Sequence, residues 1–491
     1  MNTLTPSHAD HHLLIRGGSI VDGTGKPRYQ ADIRIVGDRI AEIGMDLPVS
    51  GAAVHQAHGQ IVSPGFIDAH THDDQALLST PEMLPKISQG VTTVIIGNCG
   101  ISLAPLVHAN APSPLSLLGG TDKHIYPTMR SYVEAVRAAG PAINAAALVG
   151  HSTLRVSAMA DPYGATSDAE LAAMCALLEE AMAAGAAGFS SGLYYPTNSA
   201  ATIDEVVALA TIASKAGGIY ATHMRSEFED ILEAMDEAFA TGRRADIPVI
   251  LSHHKCAGHA NWGRTVQTLA KIDDARREQR VALDAYPYIA GSTVLDSNYV
   301  DDITDIMVTW SSSHPEMTGR YLGAIAAEWR CTQKEACDQL QPGGGCYFQM
   351  CEEDVQRVLS YPHTMIGSDG LPHDQHPHPR LWGTFPRVLG HYSRDLGLFS
   401  LEEAVRRMTG LPAAEFRLRD RGLLAPGKFA DLVVFDPARI KDRATFEAPL
   451  QTADGIDLVI VNGQVSYESK TGVTARRSGR FLSRHGADVH K

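Results

Sequence analysis

Eight short apolar runs, separated by stretches of helical periodicity, fill the middle of this 491-residue chain and limit what it can fold into. They span residues 61–72, 92–99, 145–151, 187–193, 218–224, 249–255, 281–288 and 364–369, and each reads as a buried strand. The helices between them announce their starts. Ser167-x-x-Glu170 is a capping box ahead of Leu171, Met174, Leu178 and Met182 on one face, with Gly185 as the stop. Thr202-x-x-Glu205 and Ser400-x-x-Glu403 repeat the logic. Alternating strands and helices predict an α/β fold, a (β/α)8 TIM barrel over residues 64–415. A doubly wound open sheet is the alternative that periodicity leaves open.

The two ends read differently. Leu13-Leu14-Ile15, Ser19-Ile20-Val21, Ile33 to Val36 and Ile40 to Ile43 are strand-like and joined by turns at Asp22-Gly23-Thr24-Gly25 and Gly37-Asp38. Asp431 to Phe435 and Ile456 to Val461 look the same near the other end. A small β-sandwich built from both chain termini is expected, from residues 12–63 and 416–480. About 75 residues separate the seventh and eighth runs, too many for an ordinary barrel connection. An inserted lid or subdomain is expected there, at about 291–345.

The net charge of -14, spread along the chain, argues against a nucleic-acid partner, which needs a basic patch. No apolar stretch approaches the ~18 residues of a membrane span. Met1 to His12 is polar, with no signal-peptide core. Seven scattered cysteines do not form a disulfide framework, and a reducing, cytoplasmic home is expected. The oligomeric state, monomer or small homo-oligomer, is not legible.

The chemistry lies at the ends of the runs. On a strand, residues two apart share a face, so His70 and His72 would both point to one side at the end of the first strand. Cys99, His223, His253 and Asp369 end or nearly end four further runs, and sites in this fold sit at the C-terminal ends of the strands. If His253 faces the barrel, alternation sends Lys255 the same way and leaves His254 as a packing residue. His151 reads as a core histidine. Imidazole, thiolate and carboxylate together are zinc ligands. Water on such a metal ionises near pH ~7 and can attack an amide carbonyl. Asp369 is the candidate to carry the proton to the leaving amine; the competing reading is a helix N-cap.

Pro64-Gly65-Phe66-Ile67-Asp68-Ala69-His70-Thr71-His72 resembles the first-strand signature of the amidohydrolase superfamily. Gly97-Asn98-Cys99-Gly100, Ala221-Thr222-His223-Met224-Arg225, Ser252-His253-His254-Lys255 and Gly367-Ser368-Asp369-Gly370-Leu371-Pro372 together resemble the D-aminoacylases, or N-acyl-D-amino-acid deacylases. The resemblance implies one tightly held zinc on Cys99, His223 and His253. It implies a second, weaker site on His70, His72, Cys99 and Asp369, with Asp369 as acid and base. The fourth run of this chain, residues 188–193, has none of the bridging lysine that many superfamily members carboxylate, which counts against enzymes of cyclic amides.

The substrate so implied is a small-molecule N-acyl-D-amino acid. Lys255 and the planar fork of Arg380 suit its carboxylate, although Arg380 also reads as a surface salt bridge. The resemblance adds Tyr286 and Ser292 at the carboxylate, Tyr195 at the scissile group, and Tyr347 and Met350 around the side chain. Residues 292–302 contain no arginine, which counts against N-acyl-D-glutamate or D-aspartate as substrate. Asp301 replaces a leucine of the hydrophobic-preferring pattern, so an acid could disturb an apolar pocket. Neutral residues such as D-methionine, D-leucine or D-phenylalanine are expected. The non-enzymatic alternative is an inactive binding homologue.

Overall fold

In a computed structural model describing residues 12–120 and 122–484, eight strands pair side by side in chain order, all parallel. They are Phe66–Asp68, Val91–Ile96, Asn144–Gly150, Gly188–Gly192, Ile219–His223, Val249–Leu251, Val281–Ala285 and Thr364–Ile366. The reading of Met1 to His12 falls, His12 apart, outside the described residues.

The sheet closes where the first and last strands meet. Ala69 N–H donates to Ile366 O (3.1 Å), Asp369 N–H donates to His70 O (2.8 Å), and Thr71 bridges Gly370 in parallel. A closed sheet has no free edge and disposes of the doubly wound alternative. It also places Asp369 beside His70, although nearly 300 residues lie between them.

Along the strands, burial alternates between two cores. Ile95, Ala146, Leu148, Ile219, Ala221, Ile250, Ala282 and Met365 pack together inside the barrel with Leu411 and Phe416. The residues between them, such as Val94, Ala145, Tyr220, Val249, Leu251 and Leu283, belong to the larger core under the helices. Both faces are apolar, which is why the strands read as runs rather than as an alternating pattern.

The first run is not one strand. Ile61–Pro64 pairs antiparallel with Leu432–Phe435 in a separate nine-stranded sheet, and only Phe66–Asp68 enters the barrel. Gly65 marks the crossing. A Cβ there would lie 2.1 Å from Thr92 Cγ2, so no side chain fits. The nine-stranded sheet draws strands from both ends of the chain, among them His12–Ile20, Tyr29–Val36, Leu432–Phe435 and Ile456–Val461. Leu432 and Val434 share a core with Leu13, Ile15, Ile33 and Ile460. Val433 and Phe435 point the other way into the barrel's outer core, so one strand stitches the two units together.

Ser167 caps Asp168–Ala183 with a reciprocal box, its hydroxyl accepting from Glu170 N–H while the Glu170 carboxylate accepts from Ser167 N–H. Thr202 and Ser400 cap on one side only. Their glutamates turn elsewhere, Glu205 to His151 and Arg155, and Glu403 to Arg406 and Arg407. After the seventh strand the chain builds a three-stranded antiparallel sheet, Gly291–Val294, Ile306–Ser311 and Gly343–Tyr347, with two short helices. Its own core includes Leu295, Val308, Leu322, Ile325, Leu340 and Tyr347. No helix among the described residues is long and apolar enough to cross a membrane.

Candidate metal centre

His70, His72, Cys99, His223, His253 and Asp369 meet at the C-terminal mouth of the barrel, all buried. They form two sets that share the thiol: His70, His72, Cys99 and Asp369, and Cys99, His223 and His253. Within each set one donor atom per residue lies within 4.8 Å of the others. Cys99 Sγ is 3.2 Å from His70 Nε2 and 3.3 Å from His253 Nε2. His253 Nε2 is 3.1 Å from His223 Nδ1. Asp369 Oδ1 is 3.2 Å from His72 Nε2 and 3.4 Å from His70 Nε2.

The route by which these side chains arrive differs from simple strand alternation. Only His223 sits on a strand, in phase with the inward-facing Ile219 and Ala221. His70 and His72 lie beyond Phe66–Asp68, on the segment that closes the barrel. The sixth strand ends at Leu251, and continued alternation from the inward Ile250 would have turned His254 into the site. His253 instead adopts a left-handed backbone (φ 36°) and takes that place. Cys99 (φ 53°) and Asp369 (φ 49°) are left-handed too. This conformation is costly for residues with a Cβ and collects where function requires it. His254 Nε2 lies 2.8 Å from Thr268 Oγ1, away from the cluster.

Burial governs the protonation of the cluster. Burial holds the His223 and His253 rings well below the ordinary histidine range, helped by His253 at the first and Lys255 at the second. Two neutral rings therefore aim nitrogens at one point. Burial raises the Cys99 thiol to about 11 against the pull of His70, so the sulfur ionises only beside a strong positive charge. Burial alone would raise Asp369, but Arg380 and then His70 overcome it and hold the carboxyl well below the usual range. Convergent imidazole, thiol and carboxylate donors of this kind fit a divalent transition metal.

Two buried acids that sequence reading missed support the ligands. Asp284 Oδ1 lies 3.1 Å from His70 Nδ1 and accepts from His253 N–H at 2.9 Å. Its place at the inward end of the seventh strand was a usable signal. Glu227 Oε1 lies 2.9 Å from His253 Nδ1 and 2.7 Å from Lys255 Nζ. Nothing in the acidic stretch around it singles it out. Beneath the first and eighth strands, Lys86 donates to Asp68 (2.8 Å) and to Ser368 Oγ (2.6 Å), and Asp68 accepts from Ser368 N–H (2.7 Å). This buried network ties together the segments that carry His70 and Asp369.

A cleft opens over the cluster. Tyr195, Lys255, Tyr286, Ser292, Tyr347 and Asp369 line it. Arg380 is fully buried rather than at the surface. Its Nη1 lies 2.9 Å from Asp369 Oδ2, Nη2 donates to Ser292 O at 3.1 Å, and the guanidinium sits 4.6 Å from the Tyr286 ring centre. Arg380 Nε, Tyr286 Oη and Ser292 Oγ have no hydrogen-bond partner among the described residues. Tyr286 and Ser292 line the cleft, and Arg380 is buried beside them; orphaned polar groups gathered in this way suit an anionic ligand group. Met350 does not line this cleft. It packs with Tyr286 and Tyr288 beside a smaller cavity behind it. Leu117, on a short 3-10 helix, and Tyr194, Phe228 and Gln349, on separate loops, also line the cleft and carried no sequence signal. Asp301 is exposed and absorbed in a turn, accepting from Ile303 N–H and Thr304 N–H at 3.0 and 2.7 Å, so it leaves the cleft undisturbed.

A closed (β/α)8 barrel with a two-part donor cluster at its C-terminal mouth defines the class, a barrel hydrolase of the metal-dependent kind. The chain belongs to the amidohydrolase family, whose model matches residues 53–304 and 256–467, and within it to the D-aminoacylase branch. A D-aminoacylase of Alcaligenes xylosoxydans xylosoxydans is 52% identical, covering 97% of this chain and 98% of that protein. An N-acyl-D-aspartate deacylase of the same organism is 47% identical, covering 98% and 97%. The crystal structure of an N-acyl-D-glutamate deacylase from Bordetella bronchiseptica, complexed with zinc and a phosphonate mimic of the tetrahedral intermediate, superposes with a TM-score of 0.92. It is 44% identical and covers 96% of this chain and 99% of that one.

Proposed function

We propose that this protein is a zinc-dependent deacylase of N-acyl-D-amino acids, releasing a carboxylate and a free D-amino acid. The observation that carries the reading is the pairing of a buried Cys99-centred donor cluster with orphaned donors at Arg380, Tyr286 and Ser292. One half suits amide hydrolysis and the other a free carboxylate. Its relatives support both.

Cys99, His223 and His253 would hold a tight zinc, and His70, His72, Cys99 and Asp369 a second, weaker one. When bound, zinc acidifies water and polarises the amide carbonyl. The chain's own residues do the rest. Arg380, Lys255, Tyr286 and Ser292 bind the substrate carboxylate and so fix the amide over the cluster. Tyr195 contacts the scissile group. Asp369, ionised across the working pH range, takes the proton of the attacking water. The protonated Asp369 then passes that proton to the leaving nitrogen.

Leu117, Tyr194, Phe228 and Tyr347 line the cleft, and apart from Lys255, which with the buried Arg380 is assigned to the substrate's α-carboxylate, no lysine or arginine is among its described lining residues. This supports a preference for neutral or hydrophobic D-residues. The seven free cysteines fit a reducing compartment, and we place the enzyme in the cytoplasm. Steady-state rates on N-acetyl-D-methionine, its L-enantiomer, and N-acetyl-D-glutamate, D-aspartate and D-arginine test the reading. Turnover of D-methionine that disappears on chelation and returns with zinc is expected. Equal rates on both enantiomers would overturn the assigned activity, and a clear preference for D-glutamate or D-aspartate would overturn the assigned side chain.

A further inference from the structure

Glu227 sits four residues beyond His223, buried, with no place among the donors of the cluster. Its Oε1 faces two groups at once, His253 Nδ1 at 2.9 Å and Lys255 Nζ at 2.7 Å. Its Oε2 lies 3.8 Å from His223 Nε2. Lys255 Nζ is itself only 2.8 Å from His253 Nδ1, and it also donates to His253 O at 2.9 Å. The ring nitrogen of His253 is therefore contested.

A neutral imidazole carries one proton and one lone pair. His253 Nε2 faces Cys99 Sγ and His223 Nδ1, so it serves the cluster only if its lone pair is free and the proton sits on Nδ1. An ammonium offers donors and no acceptor. Left alone beside Nδ1, Lys255 would donate to that nitrogen and drive the ring proton onto Nε2, where it blocks the donor atom. A carboxylate offers acceptors and no donor, and beside Nδ1 it enforces the opposite tautomer. By accepting from Lys255 as well, it draws the ammonium away from the ring.

We propose that Glu227 is a positioning residue that selects the Nδ1–H tautomer of His253 against the competition of Lys255. This lets an amino group that binds substrate stand within hydrogen-bond distance of a metal-binding imidazole without disabling it. The inference rests on the proposed zinc chemistry. It goes beyond that chemistry in making the damage from losing Glu227 depend on Lys255. An acid that merely filled space or supported the fold would show no such dependence.

The test is the zinc dissociation constant of the full-length protein, read by chelator competition, for the parent, Glu227→Leu, Lys255→Met and the double variant. Glu227→Leu should weaken zinc by about 10–100-fold, the range for loss of a histidine-orienting carboxylate. Lys255→Met should stay near the parent. The double variant, with the competing donor gone, should recover most of the lost affinity. Parent-like affinity in Glu227→Leu, or a double variant as weak as that single one, overturns the proposal. If Glu227→Leu does not fold, Glu227→Gln replaces it. Its weaker acceptor predicts a smaller loss that Lys255→Met again relieves, and an unrelieved loss overturns the proposal. Failure of the underlying reading looks different: Cys99→Ser would then bind zinc as the parent does, whatever stands at position 227.

Discussion

Two buried clusters in this barrel are made of the same parts, and they behave differently. In one, Glu205 accepts from Arg155 Nη1 (2.5 Å) and Thr166 Oγ1 (2.6 Å) and lies 2.7 Å from His151 Nε2. Arg155 also donates to Thr166 Oγ1 and to the carbonyls of Pro162 and Gly164. Apart from His151 Nδ1, the side-chain nitrogens and oxygens of these residues are satisfied. In the other, Asp369, Arg380 and the neighbouring histidines leave Arg380 Nε, Tyr286 Oη, Ser292 Oγ and His223 Nε2 without hydrogen-bond partners among the described residues. Buried polar groups are normally paired because an orphan costs about 1–3 kcal/mol. A closed network holds the fold, whereas an open one is arranged for something that arrives later.

That contrast can be broken most directly at Asp369. Asp369→Asn should lower kcat by about 10²–10⁴-fold. The zinc proposed for Cys99, His223 and His253 should remain, as metal analysis would show. Retained turnover would remove the proton carrier from the proposal. Next is the carboxylate side. Arg380→Lys keeps the charge but loses the fork, and kcat/KM for N-acetyl-D-methionine should fall about 10–100-fold. The loss should be much smaller for a substrate amide lacking the free carboxylate, which never used the contact.

The closed cluster should respond in stability rather than in rate. Glu205→Gln should leave kcat near the parent value and cost about 1–2 kcal/mol of stability at pH 7 after allowing for solvent screening. Burial would raise the Glu205 carboxyl, but His151, Thr166 and Arg155 bring it to about 2, below its ordinary 4.5. A depressed carboxyl stabilises the fold above its unfolded value and loses that contribution as pH falls toward its folded value. The thermal midpoints of parent and variant should therefore differ most near neutrality and converge between pH 4.5 and 2. A gap that stayed constant with pH would mean that the Glu205→Gln substitution disturbs packing and not charge. The smallest effect separates two neighbours. Tyr347 lines the cleft and Met350 does not. Tyr347→Ala should change the rate ratio between D-methionine and D-glutamate substrates, while Met350→Ala should shift it by less than about threefold.

Much of this was legible in the residues. The strand–helix alternation announces the barrel because strands covered by helices on one side and filled on the other must be apolar on both faces. The six donors were legible because sites in such barrels gather at the C-terminal ends of strands. Glu227, Gln349 and Phe228 were not, since each lies on a loop with no periodic pattern to mark it. The first run misled because the chain passes from one sheet into another at Gly65 without a change in hydrophobicity.

By itself, then, the sequence determined the strand–helix alternation and which residue types could serve as metal donors, since hydrophobic period and residue type are local properties. Direction and partnership were decided only in three dimensions. Whether His253 or His254 enters the site depends on one left-handed residue after a strand has ended. Whether a buried histidine beside a glutamate is finished, like His151, or poised, like His253, depends on how many other groups compete for the same atoms. Those competitors come from distant parts of the chain, and only closure of the barrel brings them within hydrogen-bonding range.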